Sequence, residues 1–386
     1  MSLFIKYLDD NNLSKFEDIK NSLININGLI IKENEDLYLL KYNRKEGTKE
    51  DYDTNEFLKE CRSIILEKDT NKIICLSLKF KESYEIFQEN VKWENNVIEE
   101  SIDGTLINIY YYNNEWNIST RGTLDANCYW NSSKTFKDLF MEASQICNMN
   151  YELLDKDFSY SFVLCHPECR NIVKYSSPNI THILSRNMTT LIESDEEIGI
   201  QKPNIIKILN LNKIDPTNYD ELAQNVNLLK FNNEGYMLYS KDRLYRTKLR
   251  SSDFIKLAKI KGNEPFINKR LLLIRNTDEL TEFLTYFPEY TSNYKELEIN
   301  FKKLVDELIN IYTIVKIQKK FIDIPTLYRK PIYEIHRIYI NLIDGYISGS
   351  RPTIRKSDIE NWLENEPIDY QYYLYTLYVK YKTPIQ

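Results

Sequence analysis

The chain has 386 residues, of which 42% are hydrophobic, and a formal net charge of −6. This length favours two domains over one small core. The acidic balance argues against a protein coated in basic charge but not against a local basic groove, and no apolar run approaches the ~20 residues of a membrane span.

The cysteines and the N-terminal segment indicate an intracellular protein. Six cysteines lie at irregular spacings, which is typical of reduced thiols. The segment "MSLFIKYLDDNNLSKFEDIK" is charged from residue 6 and has no secretory hydrophobic region. We therefore expect a cytoplasmic protein that does not contact membranes.

The first two thirds of the chain predict mainly strands. Residues 13–24 have helical spacing, with Asn12 or Ser14 as the N-cap. From Gly28 onward the apolar period changes to two. The runs with this pattern are "LIIKE", "LYLLKY", "RSIILEK", "KIICLSLKF", "YSFVLCH", "THILSRN", "GYMLYS" and "RLYRTKL". "TLINIYYY" and "EWNISTR" predict a hairpin that turns at Asn113-Asn114, and "KTFKDLFMEASQI" predicts a helix.

The last third of the chain has a helical pattern. "ELEINFKKLVDELINIYTIVKIQKK" carries apolar residues at steps of three and four. Pro325 and Pro331 are expected to break the helices, and residues 345–352 to form a turn. We predict an α+β domain over 1–262 and an all-α domain over 263–386.

Several polar stretches follow the strands of the first domain. They are "ECRSIIL", "LKFKES", "SIDGT", "FVLCHPECRNIVKY", "NEGYMLY" and "YRTKLRSSDF". Arg246, Lys248 and Arg250 occupy alternate positions of one predicted strand and so share a face. A row of cations facing a few carboxylates suits a phosphate ligand with a divalent ion.

In their order, these motifs resemble the covalent nucleotidyltransferases, with the phage-type RNA ligases as the nearest branch. The resemblance spans about residues 36–290. It rests on Arg62 in "ECRSIIL", "KF" at 79–80, "SIDGT" at 101–105, "EGYMLY" at 234–239 and "KLRSSDF" at 248–254. "HPECRNIV", "KLRSSDFIKLAKIKGN" and "FLTYFPEY" are similar to ligase-like proteins of large DNA viruses, so a viral protein in the host cytoplasm is one expectation.

The resemblance implies a fold and a set of roles. The fold is an adenylation domain with two antiparallel sheets around a nucleotide cleft. Phosphate or nucleotide contacts are implied for Arg62, Lys79, Lys81, Asp103, Gly104, Lys248 and Arg250. Glu234, with Asp103, is the implied Mg²⁺ ligand, and ATP or GTP the implied nucleotide. RNA ends are the implied substrate, with the C-terminal helices helping to engage RNA.

The family motif is Lys-x-Asp-Gly, and its lysine is the covalent nucleophile. Here that position holds Ser101. A serine would give a phosphate ester, which is a poorer donor than a P–N bond, and its hydroxyl needs a base. The acid expected in "FVLCHP" is replaced near Val163, and the second lysine of the last motif is Arg250. The nucleotide cleft is thus expected to remain while the first covalent step is lost.

Three functions stay open from the sequence. In the first, the protein seals pre-activated RNA ends, or binds nucleotide or RNA ends without chemistry. In the second, it is a pseudoenzyme scaffold whose helices bind a protein. In the third, it is an active ligase or capping-type enzyme that uses another lysine, such as Lys81. Cys165, His166 and Cys169 suggest a metal cluster, but no second Cys/His pair follows at zinc-site spacing.

Overall fold

The protein divides into two compact units, Met1–Lys261 and Gly262–Gln386. The computed structural model describes residues 2–43, 45–48, 55–194, 196–205, 216–344 and 353–381. The first unit combines antiparallel sheets with helices, and the described part of the second unit is helical. The α+β class predicted for the first part of the chain is therefore confirmed.

The strands of the first unit form three antiparallel sheets within the described residues. The bounds are β1 Leu29–Glu33, β2 Leu37–Tyr42, β3 Arg62–Glu67, β4 Ile73–Leu76, β5 Asn96–Glu100, β6 Thr105–Tyr112, β7 Glu115–Thr120, β8 Phe158–Cys165, β9 Asn179–Asn187, β10 Glu193–Ser194, β11 Gly235–Ser240 and β12 Arg246–Arg250. The strand orders are β1-β2-β3-β4, β10-β9-β8-β6-β7 and β12-β11-β5.

The helices are distributed over both units. Among the described residues of the first unit they are α1 Leu3–Asp10, α2 Phe16–Leu23, α3 Tyr84–Asn90, α4 Phe136–Ile146, α5 Tyr219–Val226 and α6 Ser252–Lys261. In the second they are α7 Ile267–Ile274, α8 Glu279–Tyr286, α9 Thr291–Tyr312, α10 Thr326–Asp344, α11 Lys356–Asn365 and α12 Ile368–Lys380.

Each sheet of the first unit buries one face against helices. The first sheet packs on α1 and α2, the second on α4, and the third on α3 and α5. The opposite face of the first sheet packs against Tyr110 of the second sheet through Leu39, Ile65 and Cys75. We call this opposite face the inner face of the first sheet.

The third sheet corrects the prediction of two sheets. Its edge strand β5 pairs with β11, for example Ile98 opposite Leu238. β5 has the sequence "NVIEE", which carries only two apolar residues and gives little period-two signal. Burial of Ile98 against α3 and α5 holds this strand in place, and that contact depends on residues far away in the sequence.

Other local predictions were wrong at helix ends. The N-cap of α2 is Lys15, not Asn12 or Ser14. Pro331 lies inside α10 instead of ending a helix. An interior proline costs ~3 kcal/mol, and burial of Ile332 and Ile335 on the same helix offsets this cost. The turn predicted over 345–352 lies outside the described residues.

The second unit is built around α9. Its apolar face contributes Leu297, Phe301, Leu304 and Leu308, which are all fully buried. The guanidinium of Arg275 lies 3.7 Å from the centroid of the Phe301 ring. Within the described residues, neither unit contains a helix that is both long and apolar enough to cross a membrane.

We expect a fragment of residues 1–262 to fold alone, because the buried clusters against all three sheets lie within the first unit. The fragment should show a near-UV circular dichroism signal and one cooperative thermal transition. The full-length chain is the control. A fragment with helical far-UV signal but no cooperative transition would contradict this expectation.

Candidate active site

A buried carboxylate, that of Glu234, lies at the centre of the candidate site. Glu234 directly precedes β11 and is 4% exposed. Its Oε2 accepts hydrogen bonds from Ser101 Oγ at 2.6 Å and Lys248 Nζ at 2.8 Å. Its Oε1 accepts from Arg250 Nε at 2.8 Å and Nη2 at 2.6 Å. We call these four residues the Glu234 cluster. Because the Arg250 side chain is 38% exposed, an anion can approach the cluster from solvent.

A glycine sets the geometry of this cluster. Gly235 lies opposite Arg250 in the β11–β12 pair and has a φ of +131°. A Cβ at this position would lie only 2.1 Å from the carbonyl oxygen of Leu249. A side chain is therefore excluded here, and the close approach of the two strands places Glu234 beside the cations of β12.

Burial and charge act in opposite directions on Glu234. Burial alone would raise the pKa of its carboxyl, but Lys248 and Arg250 outweigh burial and hold that pKa below its usual range. Burial, with repulsion from Arg250, lowers the pKa of Lys248 against the attraction of Glu234. The carboxylate is thus a weak proton acceptor that is neutralised by its two cationic neighbours.

Ser101 has a partner that the sequence did not reveal. The side chain is buried, its backbone N–H donates to the Gly235 carbonyl at 2.9 Å, and its hydroxyl donates to Glu234. Glu234 is thus in the position of a base for the serine. Its lowered pKa makes it a poor base, so the contact orders the hydroxyl more than it activates it.

Asp103 and Gly104 hold the neighbouring loop. One carboxylate oxygen of Asp103 accepts from the backbone N–H groups of Ile172 at 2.8 Å and Val173 at 2.7 Å. Burial raises the pKa of Asp103, while these two hydrogen bonds oppose the rise. A Cβ at Gly104 would lie 2.5 Å from the Leu164 carbonyl oxygen, so glycine permits close packing on β8. Sequence reasoning did not identify this loop contact.

The strand predicted for "KIICLSLKF" is shorter in the structure, so Lys79 and Lys81 lie beyond its end. β4 ends at Leu76, and the chain then leaves the sheet. Lys79 forms an ion pair of 3.2 Å with buried Glu60, while its carbonyl accepts from Arg62 Nη1 at 3.4 Å. The ammonium of Lys79 therefore contacts Glu60, which lies outside the Glu234 cluster.

Lys81 lies in the electrostatic field of the Glu234 cluster. The next residue, Glu82, donates its N–H to the Arg246 carbonyl at 2.9 Å, which fixes the backbone beside β12. Burial lowers the pKa of Lys81 to about 8, with repulsion from Arg250, Lys248 and Arg62 adding to the effect. The charged group of Arg62 thus acts on the same region.

Two further groups lie apart from the cluster. Arg246, at the other end of β12, is opposite Tyr239 and is buried near Glu193 and Arg186. Near the "HPEC" segment, and within the described residues, three side chains that could bind a metal ion lie close together: Glu142, His166 and Glu168. Lys134 Nζ bonds both carboxylates, at 2.8 and 2.7 Å, so an ammonium already neutralises this group.

Comparisons with known proteins found relatives in viruses. In an alignment of 285 positions that covers 67% of this chain, it is 28% identical to a protein of Autographa californica nuclear polyhedrosis virus named as a bifunctional polynucleotide kinase/RNA ligase. The match covers 39% of that protein, so the chain spans about two fifths of its length. It is also 23% identical over 377 residues to the RNA ligase of Rhodothermus phage RM378, covering 79% of this chain and 84% of the ligase.

These relatives support the resemblance of the chain to the RNA ligase-like nucleotidyltransferases. A third relative of this RNA ligase-like chain is the immediate-early protein ICP-46 homolog of Invertebrate iridescent virus 6, at 25% identity, with 74% of this chain and 67% of that protein covered. No family model matches the chain.

Among solved structures, the chain is similar to a mutant of Naegleria gruberi RNA ligase with ATP and Mn. The TM-score is 0.36 and the identity 12%, over 47% of this chain and 58% of that one. The same ligase with PPi gives a TM-score of 0.34 and 12% identity, over 45% and 54% of the two chains.

We expect Glu234→Gln to lower the free energy of unfolding by about 3 kcal/mol at pH 7, because the cations around Glu234 would lose their buried counter-charge. The pKa of Glu234 is lower in the folded state than in the unfolded state. Its ionised form therefore stabilises the protein above pH ~4.3, and this contribution is lost as pH falls through the folded pKa. The difference in the free energy of unfolding between wild type and variant should therefore become smaller below pH ~4.

Urea unfolding at pH 7, 5 and 3.5 measures this difference. The matched control is Glu89→Gln, which alters an exposed residue of α3 and should stay within ~0.5 kcal/mol of wild type at each pH. A Glu234→Gln effect that is no larger than the control would show that the ion pairs contribute nothing to stability.

Proposed function

We propose that the chain binds phosphate-bearing RNA ends or nucleotides at the Glu234 cluster and seals ends that another enzyme has activated. The observation that carries this proposal is the convergence of Lys248 and Arg250 on one buried carboxylate, with an exposed edge at Arg250. Guanidinium and ammonium groups are strong phosphate donors. The viral and phage relatives named as RNA ligases support the choice of RNA.

Because Ser101 stands where the family has its nucleophilic lysine, we expect the RNA ends to be activated before they reach this protein. The Ser101 hydroxyl stays protonated at neutral pH, and its hydrogen-bond partner Glu234 has a lowered pKa. Attack by Ser101 would also give an ester that transfers its nucleotide poorly. Sealing an activated end needs positioning and charge stabilisation more than a new covalent link, and the cluster supplies both.

The proposed nucleotide is ATP or GTP, and the proposed ion is Mg²⁺. The donors of the cluster fit a nucleotide phosphate. A divalent ion does not fit Glu234 in the arrangement observed, because both oxygens already accept bonds from Ser101, Lys248 and Arg250. Asp103 offers one oxygen beyond the one bonded to backbone amides. The observed arrangement therefore disfavours Glu234 as an Mg²⁺ ligand, and the Mg²⁺ role of Asp103 stays a prediction.

The two units have separate proposed roles. Residues 1–262 form the nucleotidyltransferase-like domain, and the helices of 263–386 help to engage RNA. A scaffold that binds a protein through these helices is the rival from a different class. The Glu234 cluster favours the RNA role, because a scaffold has no need for a solvent-accessible arrangement of phosphate donors.

Lys81 supports a second candidate, a covalent transfer that uses another lysine. Its pKa of about 8 leaves part of the amine unprotonated near neutral pH. In this step, the Lys81 nitrogen would form a bond to the α-phosphorus of ATP, the bond from that phosphorus to the bridging oxygen would break, and pyrophosphate would leave while the amine proton passes to solvent.

Phosphate binding at the cluster can be tested with Lys248→Gln. Loss of a hydrogen bond to a charged group costs ~1.5–3 kcal/mol, so affinity for an oligoribonucleotide with a 5′ phosphate should fall roughly 10- to 150-fold. Affinity for the same strand with a 5′ hydroxyl should fall much less. Fluorescence anisotropy measures both, with Lys6→Gln on α1 as the control. Equal losses for the two strands would contradict the proposal.

Intact mass spectrometry distinguishes the two candidates. We expect native protein incubated with ATP or GTP and Mg²⁺ to gain no nucleotide, and Ser101→Lys to gain one. An adduct on native protein that disappears in Lys81→Arg would establish the second candidate instead. Ser101→Lys that binds ATP yet gains no adduct would show that the geometry around residue 101 does not permit transfer.

A further inference from the structure

A second group of cations lies away from the Glu234 cluster. Lys32 in β1, Lys41 in β2 and Arg121, which directly follows β7, come from three separate segments. The Lys41 ammonium lies 3.3 Å from the point that a Cβ on Gly122 would occupy, so it reaches over the loop that begins at Arg121. In the part of the chain that the structure describes, none of these three side chains forms an ion pair.

Strand register places two of these cations in one row. Lys32 is opposite Leu39, and Lys41 is opposite Arg62. Since Leu39 and Lys41 are two residues apart on β2, they share the inner face of the first sheet. The row therefore runs diagonally from Lys32 to Lys41, which is opposite Ile30 on β1, and then straight across to Arg62. We call Lys32, Lys41 and Arg121 the inner-face cations.

The row leads to the Glu234 cluster. Arg62 lies at its inner end and acts electrostatically on both Lys81 and Lys248. Neighbouring strands are ~4.8 Å apart, so the distance from β1 to β3 is ~10 Å. This distance leaves room for more than one phosphate of a nucleic-acid strand, since the phosphates of one strand in duplex DNA follow at a rise of ~3.4 Å.

The arrangement is unfavourable without an anion. Burial lowers the pKa of Lys41, and repulsion from Arg121 and Lys32 lowers it further, while Glu46 exerts a smaller attraction. The chain as a whole is acidic, so a basic group of this kind is not a consequence of general composition. Like charges gathered with so little counter-charge are typical of a polyanion-binding surface.

We propose that the inner-face cations bind the phosphodiester backbone of the RNA strand whose end lies at the Glu234 cluster. This inference rests on the proposed function, because it takes the end of the strand to be at that cluster. The three residues contact phosphates and carry no sequence information. They determine the path by which the RNA strand enters the site, whereas the Glu234 cluster recognises the end of the strand.

The test is the salt dependence of binding by Lys32→Gln/Lys41→Gln. Each phosphate contact on a single strand contributes ~0.7 to the slope of log K against log salt. The double variant should reduce the slope for a 5′-phosphorylated oligoribonucleotide by ~1.4 and leave ATP affinity unchanged. The matched control is Lys6→Gln/Lys92→Gln, which removes two exposed charges, one of them on α1 behind the opposite face of the sheet.

Each outcome decides the proposal. An RNA slope equal to that of wild type overturns it. A parallel loss of ATP affinity also overturns it, because the cations would then hold a nucleotide's polyphosphate tail. Wild-type protein that binds ATP but not RNA overturns the strand path and leaves the nucleotide site standing. Wild-type protein that binds neither ligand overturns the proposed function and the strand path together.

Discussion

The first unit depends on one electrostatic constraint, the pairing of the buried Glu234 carboxylate. A carboxylate that is 4% exposed is costly unless donors surround it. Those donors come from the end of β5 and from β12, so satisfying one side chain fixes three segments of the chain relative to one another. The third sheet and the candidate site are therefore consequences of the same contacts.

Acid–glycine pairs solve the same geometrical problem twice. At 234–235 the glycine lets two strands approach until the acid meets its cations, and at 103–104 it lets β6 begin close to β8 while the acid binds loop amides. The chain has only nine glycines, and each of these two sites has a glycine at a position where a Cβ would overlap a backbone oxygen. The turn after Ser101 is built to position Asp103, and Asp103 holds the loop that borders the site.

The sequence predicted the strands better than the site contacts. Alternating apolar residues depend on local burial, so runs such as "LIIKE" and "GYMLYS" coincide with β1 and β11. The alternation of Lys248 and Arg250 also follows from strand geometry. The contact of Ser101 with Glu234 joins residues 133 positions apart, and the path of Lys81 depends on backbone bonds to Lys59 and Arg246 through its neighbours. No local pattern encodes such pairings.

The charges around Glu234 also give a physical account of the serine at position 101. A lysine there would add a further cation beside Lys248 and Arg250, in a region where burial, together with repulsion between cations, has already lowered the pKa of Lys81. Glu234 supplies one negative charge to this group, and an additional ammonium would have to be offset by an anionic ligand or lose its proton. A hydroxyl keeps the hydrogen bond to Glu234 without adding charge. Ser101 and Lys81 are therefore linked through the electrostatics of one carboxylate. A phosphate that bound beside them would attract Lys248 and Arg250 and weaken their ion pairs with Glu234. Its negative charge would also raise the pKa of Lys81.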